Sequence, residues 1–434
     1  MKKFRIRAMH ATGLWNERDV SVEFNEDVNI LIGPNGSGKT TILKLLQFVL
    51  TPDVDSLSEI VFKDVVISLQ AFDSHARKTI RVKPVEGGLQ FRVSLQTYSV
   101  VAGLSHNAPG YRVHRLPDGR LVRRSAGVQD NRKGLEAALT GLVPGVWLPV
   151  NRRLPVSQDE DEIRTWARGE RPSLESVDEC LRNLLQQLQG YRLILETRLS
   201  EQYKEFERKV LQNILYSRAQ DSKLTVNLSD LPTEEEKQML LRAFEKAGLL
   251  DERMKGRIDE HFFVAQEVLR KLQKSPKAGL TWEDMTILPL IPRTKAMVNF
   301  AQEMEEYRLR LFSPLEKYQE TVNSFLHGKS IRVSDEGELL VSAELAPDRK
   351  YSPYRLSSGE KQILILLTQA LLKEGQPVVY VADEPELSLH VTWQEKLLES
   401  IVELGRPMQI IVATHSPDIV GPYGDKVIDL GTGS

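Results

Sequence analysis

The sequence contains the glycine-rich motif Gly33-Pro34-Asn35-Gly36-Ser37-Gly38-Lys39-Thr40. It matches the pattern G-x-x-x-x-G-K-[ST], whose glycines allow successive backbone N–H groups to turn toward a phosphate. An apolar run, Val28–Ile32, precedes it, and a run with helical spacing follows at 41–49. A strand, this loop and a helix in that order predict a phosphate-binding loop, with positive potential from the helix N-terminus. A glycine-rich turn before a core helix is the weaker alternative.

The motif gives its last residues separate tasks. Lys39 is predicted to reach the β- and γ-phosphates of a nucleotide, and the Thr40 hydroxyl to hold Mg²⁺. The nucleotide-binding candidates in this region are Asn35, Gly36, Ser37, Gly38, Lys39, Thr40 and Thr41.

A second buried strand is predicted at 378–382, and it ends in two acids, Asp383 and Glu384. Open α/β sheets bind ligands at the carboxyl ends of their strands. Asp383 is predicted to contact Mg²⁺ through water, and Glu384 to act as general base or to polarise the attacking water. An Asp-Glu pair at a strand end can be structural, but the phosphate loop upstream favours the catalytic interpretation.

Further motifs follow the same order as in a known family. Leu356-Ser357-Ser358-Gly359-Glu360-Lys361-Gln362 resembles the signature of ABC-type ATPases, usually Leu-Ser-Gly-Gly-Gln. It departs from that form at Ser358, where Gly is common, and at Glu360, where Gln is common. Residues 386–390 stand where that family has its D-loop, and His415 stands where it has its switch histidine.

Together these motifs resemble the soluble ABC-type ATPases of the SMC, RecF and OLD-like group, over about residues 1–155 and 326–430. The resemblance implies ATP and Mg²⁺ as ligands, with ATP sandwiched between two heads of a homodimer or higher homo-oligomer. It also implies that Ser357, Ser358, Gly359 and Glu360 act on ATP bound by the other subunit. Glu384 and His415 are then the catalytic pair, with His415 sensing the γ-phosphate, and Thr40 and Asp383 hold the metal.

The predicted fold class is α/β: an ABC ATPase head, made of a mixed-sheet lobe and a RecA-like parallel sheet, with an inserted helical arm. Apolar residues spaced by three and four between about 174 and 214 predict one long, coiled-coil-like helix. More helix is predicted at 234–247, 259–273 and 294–325, with Pro289 and Pro292 as breaks. The predicted domains are 1–154 (first half of the head), 155–325 (arm) and 326–434 (second half of the head).

Strand-like alternation in the first third predicts strands at 4–7, 20–24, 65–69, 79–83 and 89–95. Residues 111–116 and 120–124 flank Pro117-Asp118-Gly119 and predict a hairpin. This hairpin region is basic through Arg112, Arg115, Arg120, Arg123, Arg124, Arg132 and Lys133. The basic residues either bind phosphates of nucleic acid or an acidic partner, or form a solvated face, which is the more common outcome.

The Q-loop residue of the resembled family is left open among three positions. Asn151 and Arg152 follow an apolar run at 146–150, just before the insertion, whereas Gln70 follows the strand predicted at 65–69. A strand that ends in a solvated turn explains Asn151 and Arg152 equally well.

Composition excludes several classes of protein. The chain has 434 residues, 41% hydrophobic and 27% charged, so it can bury a large core and is not disordered throughout. With 58 Lys and Arg against 60 Asp and Glu, it is not a generally basic binder. Cys180 is the single cysteine, which fits a reducing cytoplasm. No apolar run reaches the length of a membrane span, so no membrane association is expected.

Spacing selects among functions. Lys39 and Ser357 lie 318 residues apart, which leaves room for an arm. The sequence ends 19 residues after His415, where OLD nucleases continue into a Toprim domain. The layout therefore most resembles stand-alone ATPase subunits of anti-phage systems of the PARIS or Septu kind, without nuclease activity and with a separate effector. The alternatives are a RecF- or SMC-like DNA-maintenance ATPase and a non-catalytic ATP-gated scaffold.

Overall fold

The computed structural model describes residues 2–16, 18–86, 88–101, 111–115, 121–125, 131–148, 177–215, 233–274, 281–373, 375–405 and 407–431. The chain divides into two compact units. The first contains Met1–Leu188, Tyr318–Val333 and Leu339–Ser434, and the second contains Gln189–Lys317 and Ser334–Glu338.

Sixteen strands are present in the described ranges. They are β1 (Phe4–Leu14), β2 (Arg18–Glu23), β3 (Val28–Ile32), β4 (Asp64–Ala71), β5 (Arg77–Val85), β6 (Gly88–Val93), β7 (Gln96–Val101), β8 (Tyr111–Arg115), β9 (Leu121–Ser125), β10 (Gly145–Leu148), β11 (Lys329–Val333), β12 (Leu339–Ala343), β13 (Ala346–Tyr351), β14 (Val378–Asp383), β15 (Met408–Ala413) and β16 (Val427–Asp429).

The α-helices of the described ranges are α1 (Lys39–Leu50), α2 (Val54–Ser58), α3 (Arg132–Leu139), α4 (Val177–Ile214), α5 (Glu234–Lys246), α6 (Glu252–Lys274), α7 (Trp282–Ile287), α8 (Leu290–Phe325), α9 (Ser358–Leu371), α10 (Val391–Leu404) and α11 (Pro417–Val420). Short 3₁₀ turns lie at Pro353–Arg355 and Gly421–Lys426.

The central sheet of the first unit is parallel. Its strand order is β10-β14-β15-β3-β16, and every neighbouring pair runs in the same direction. β14 is buried at all six positions, as expected for a strand covered on both faces. The carboxyl ends of β3, β14 and β15 therefore meet at one edge, which carries the phosphate loop, the acidic pair and His415.

The second large sheet is antiparallel, in the order β2-β1-β4-β5-β6-β7. One continuous core joins it to the parallel sheet and to α1, since apolar side chains of all three belong to a single buried cluster. The α/β class predicted from the sequence is confirmed. The lobe that was predicted as a mixed sheet corresponds to this second sheet, in which every described strand pair is antiparallel.

Two buried amides connect strands: that of Gln409 joins the two large sheets, and that of Asn29 joins β3 to β15 within the parallel sheet. The Gln409 side chain on β15 accepts a hydrogen bond from Ile6 N at 2.9 Å and donates to Ile6 O at 2.7 Å. Asn29 on β3 donates to Ile410 O and Asn25 O, both at 3.1 Å, and accepts from Asn25 N. Because both buried amides have hydrogen-bond partners, they help to align the strands, and burying them costs little desolvation energy.

The second unit is built from helices, with α4 and α8 as its longest elements. α4 has 38 residues in the described range, which is about 57 Å at 1.5 Å per residue. Positions 173–176 and 216–217 of the predicted helix lie outside the described residues. A small core of α6, α7 and α8 contains Ala265, Val268, Leu269, Ile287 and Ile291.

Two sequence expectations about this helical region need correction. Pro292 was expected to interrupt the helix, but α8 begins at Leu290 and continues through it to Phe325. Proline is tolerated in the first turn, where its missing N–H has no intrahelical partner. The short helix α7 was not predicted, and it begins with a capping box between Thr281 and Asp284.

The predicted basic hairpin is present in the backbone. β8 and β9 pair antiparallel, with Tyr111 opposite Ser125 and Arg115 opposite Leu121. Its turn, including Arg120, lies outside the described residues. Within the described ranges, none of the helices combines the length and apolarity needed to cross a bilayer.

Candidate functional site

The loop after β3 adopts the conformation that its glycines allow. Gly36 has φ 83° and Gly38 has φ 98°, values in the left-handed region where other residues are strained. No atom lies near the position of a Cβ on Gly36, so its constraint is conformational. Asn35 and Gly36 are exposed at the tip, and Ser37 N closes a turn onto Pro34 O at 3.1 Å.

Lys39 is the first residue of α1, and only 6% of its surface is exposed. Its ammonium donates to Gly33 O at 2.7 Å and to Pro34 O at 3.3 Å, so it lies within the loop. A cation at a helix N-terminus adds to the positive partial charge already there. The combination destabilises the free loop electrostatically and favours an anion beside it.

Thr40 and Asp383 come together at the ends of α1 and β14. Their side chains are hydrogen-bonded, and burial raises the pKa of Asp383 even though the bond from Thr40 lowers it. Asp383 Oδ1 and Ser37 Oγ are buried and have no hydrogen-bond partner among the described residues. A hydroxyl and a carboxylate with an unused oxygen form a donor set that fits Mg²⁺.

Glu384 and His415 face each other across neighbouring strand ends. The Nε2 atom of His415 lies 3.9 Å from Oε1 of Glu384, and both side chains are partly exposed. Glu384 has a left-handed backbone with φ 48°, and its N–H donates to Ala413 O at 2.8 Å. This turn ends the buried strand at the edge of the sheet that carries the phosphate loop.

The signature residues form the start of α9. Ser357 is the N-cap, and it makes a capping box with Glu360 in which Ser357 N donates to Oε2 at 2.7 Å. Ser357 and Ser358 are exposed, so the N-terminus of a 14-residue helix is open to an anion. Gly359 is buried, and a Cβ there would lie 2.7 Å from Ser388 O of the D-loop segment.

Glu360 is placed differently from the other signature candidates. Its carboxylate is buried, and Lys329 Nζ lies 2.9 and 3.0 Å from its two oxygens. Burial raises the pKa of Glu360, but the hydrogen bonds from Lys329 and Ser357 together lower it by more, so the pKa lies below the usual value. The side chain therefore supports the loop from within its own chain, and a direct contact with nucleotide stays a prediction.

The structure describes one of the three Q-loop candidates. Gln70 lies half-buried on β4, between Arg5 and Arg77 of the neighbouring strands. Asn151 and Arg152 lie outside the described residues. Which of the three has the Q-loop role stays open.

Two residues near the site had no separate role in the sequence interpretation. The Trp15 ring is 41% exposed and lies 3.0 Å from where a Cβ of Gly38 would be. Glu386 accepts hydrogen bonds from Thr414 and from the backbone of His415. Trp15 contacts a residue 23 positions away, and no local pattern in the sequence indicates that contact.

A phosphate loop on a parallel sheet, beside a strand ending in Asp-Glu, is the arrangement of a P-loop ATPase. The chain belongs to the AAA ATPase domain family, whose model matches residues 16–420. It is thus an ATPase of the AAA class. No curated protein sequence matches the chain significantly.

Similar solved structures are Smc head domains, all at low identity. One, from Pyrococcus furiosus, has an extended coiled coil and is bound to the C-terminal domain of ScpA. It is 16% identical to this chain, and the match covers 98% of this chain and 93% of that one with a TM-score of 0.42. One from Pyrococcus yayanosii, with a coiled coil and joint, has 15% identity, 98% and 95% coverage and TM-score 0.41. A SmcHead bound to the C-winged helix domain of ScpA has 13% identity, 98% and 94% coverage and TM-score 0.42. Likenesses this distant carry no argument about this chain.

Proposed function

We propose that the chain binds ATP with Mg²⁺ and hydrolyses it at the edge where β3, β14 and β15 end. The observation that supports this most is the buried carboxylate of Asp383, which is next to the half-buried Thr40 and has one oxygen without a hydrogen-bond partner among the described residues. A buried carboxylate that is only partly paired is costly, and a bound cation reduces that cost.

In this mechanism the loop N–H groups and Lys39 bind the β- and γ-phosphates, and Thr40 with Asp383 holds the metal. When bound, Mg²⁺ neutralises charge on the phosphate oxygens. Glu384 accepts the proton of the attacking water, and His415 donates a hydrogen bond to the terminal phosphoryl group as its charge develops. The exposed Trp15 ring beside α1 offers a stacking face for the base.

We further propose that the site is completed by a second copy of the chain. The exposed start of α9, with Ser357 and Ser358, supports this because a helix N-terminus carries a positive partial charge that favours an anion. ATP held by one phosphate loop then meets Ser357, Ser358 and Gly359 of the other subunit. Glu360 acts there by fixing the loop.

The experiment that tests ATP binding compares two lysine variants. Lys39→Ala is expected to weaken ATP binding more than about tenfold, because a charge-assisted hydrogen bond contributes about 1.5–3 kcal/mol. Lys396→Ala is the matched control, since Lys396 is exposed on α10. Equilibrium dialysis with labelled ATP measures both. Unchanged affinity in a folded Lys39→Ala protein would remove the phosphate loop from the mechanism.

In the cell, the proposed role is to hold or release a separate effector of an anti-phage defence system, as the motif order and the arm suggest by resemblance. The chain alone is then expected to cut no nucleic acid with Mg²⁺ or Mn²⁺ and ATP. No group of three or more His, Cys, Asp or Glu residues suited to a metal is found in the part of the chain that the structure describes. The lack of nuclease activity stays a prediction.

Direct DNA binding is the second candidate, and one surface favours it. Arg77, Arg81 and Lys83 are exposed on one face of β5, and Arg92 lies opposite Arg81 on β6. Asp64 forms an ion pair with Arg81 at 2.6 Å and neutralises that residue. The other three basic side chains leave this face with a net positive charge.

Binding of the ATP-loaded protein to duplex DNA at several salt concentrations separates the two functions. Affinity that falls steeply with salt, with a smaller slope in Lys83→Ala and Arg92→Ala, supports DNA binding. Weak binding that these variants do not alter supports the effector role.

A further inference from the structure

Glu386 is a buried carboxylate at the start of the D-loop segment, two residues after Glu384 of the acidic pair. It is 8% exposed, and its Oε1 atom accepts two hydrogen bonds from the end of β15. One comes from the Thr414 hydroxyl, and the other from His415 N at 3.2 Å. The side chain thus connects the segment after β14 to the main chain of His415.

Fold stability does not account for a glutamate at this position. Its second oxygen, Oε2, is buried and has no hydrogen-bond partner among the described residues. A buried charge that is only partly paired is often less stable than an apolar side chain of similar volume. A methionine would fill the same space without the desolvation cost, so the carboxylate has another use.

The backbone around Glu386 is strained on both sides. Glu384 has φ 48° and Ser388 has φ 71°, and such conformations persist only where the surroundings hold them. The turn itself is closed by Leu387 N to Glu384 O at 3.1 Å and by Leu389 N to Glu386 O at 2.9 Å. The Glu386 side chain adds the connection from this turn to the strand that carries His415.

We propose that Glu386 is a positioning residue for hydrolysis. Its Oε1 holds Thr414 and the backbone of His415, and so keeps the imidazole beside Glu384, 3.9 Å away. Glu386 itself touches neither nucleotide nor metal. The inference rests on the proposed function, because it assumes that Glu384 and His415 act in hydrolysis. What it requires of Glu386 is an oxygen acceptor rather than a charge.

That requirement separates the conservative variant from the apolar one. Glu386→Gln keeps a carbonyl oxygen for Thr414 and His415, so kcat is expected within about threefold of wild type. Glu386→Met removes the acceptor, so kcat is expected to fall at least about tenfold while KM for ATP changes less than about threefold. Glu395→Met, on an exposed glutamate of α10, is the matched control and is expected to alter neither constant.

Epistasis tests whether Glu386 acts through His415. In a His415→Ala background, Glu386→Met is expected to lower kcat less than about twofold further, since the group it positions is gone. Hydrogen exchange over residues 412–418 gives a readout independent of activity: exchange is expected to accelerate in Glu386→Met and to stay unchanged in Glu386→Gln. Thermal unfolding of each variant verifies that the fold is intact.

Four results overturn the proposal. If Glu386→Gln is as inactive as Glu386→Met, the charge matters and Glu386 belongs to the metal site. If the losses of Glu386→Met and His415→Ala multiply, Glu386 does not act through His415. If His415→Ala lowers kcat and Glu386→Met does not, this inference fails while the proposed mechanism stands. A wild-type kcat in His415→Ala, by contrast, removes His415 from the proposed mechanism and Glu386 with it.

Discussion

Glu384→Gln separates ATP binding from hydrolysis. The amide cannot take a proton from water, so kcat is expected to fall about 10²- to 10⁴-fold, the usual contribution of a general base. Lys39, Thr40 and Asp383 are unchanged, so ATP affinity is expected to stay near wild type. Steady-state phosphate release and ATP titration measure the two quantities.

The matched control for that experiment is Glu395→Gln, which makes the same change on an exposed helix position. Size-exclusion chromatography adds a second readout, because a slowed ATPase is expected to accumulate as an ATP-bound dimer. Hydrolysis at the wild-type rate in Glu384→Gln would assign the base to another residue.

The position of Lys39 was identifiable from sequence because every feature that defines it is local. The glycines, the lysine and the start of α1 are neighbours in the chain, so the motif alone specifies the loop. Asp383 and Glu384 were identifiable because they end an apolar strand. Glu386 was not, since its proposed role depends on Thr414 and His415, which follow a different strand. Pairing between strands is the information that a single sequence lacks.

The helix α9 is held at several points along its length. Lys361 Nζ lies 2.7 Å from Asp178 Oδ1 in the first turn of α4, and Tyr318 of α8 shares a 2.7 Å hydrogen bond with Thr368. Lys329 pairs with Glu360 at its start. The helix was predictable from its apolar spacing. These contacts were not predictable, because they join residues that are 31 to 183 positions apart in the sequence.

Gly359→Ala tests the contact between α9 and the D-loop. The new Cβ would lie 2.7 Å from Ser388 O, which is closer than real side chains allow, so one of the two segments must move. We expect a loss of about 1–3 kcal/mol in the free energy of unfolding, as for other overpacked sites. A fall in kcat is expected as well, with little change in ATP affinity because the phosphate loop is untouched.

Gly190→Ala is the control for this change. Gly190 lies within α4, and no atom is near the position of its Cβ. The substitution is expected to stabilise the protein by about 0.5–1 kcal/mol through helix propensity and to leave kcat unchanged. Chemical denaturation measures both variants. If Gly359→Ala behaves like Gly190→Ala, the close approach to Ser388 has no consequence.

The order of strands in the whole molecule places the site, and only part of that order was predictable. The strand runs near 28–32 and 378–382 were recognisable as buried by their apolar composition. Their adjacency, with β3 beside β15 and β14 beside β10, joins segments hundreds of residues apart and appears only in the structure. The buried amides of Gln409 and Asn29, which connect strands, were likewise not predictable from hydrophobic patterning, which treats polar residues in strands as exceptions.

Two copies of the chain are proposed to complete each other's ATP site, and mixing two inactive variants tests this arrangement. Lys39→Ala lacks phosphate binding, and Ser357→Arg blocks the signature surface. In a mixed dimer, the intact phosphate loop of one subunit faces the intact signature of the other. The mixture is therefore expected to recover part of the wild-type ATPase rate, up to about one working site in four at full exchange.

Subunit exchange is verified in the same samples by pull-down between two differently tagged chains, and each variant alone gives the baseline rate. Recovery of phosphate release above both baselines is the result that the composite site predicts. If the tagged chains mix and the rate stays at the baseline of the two parent variants, the signature does not act across the dimer, and the composite site is wrong.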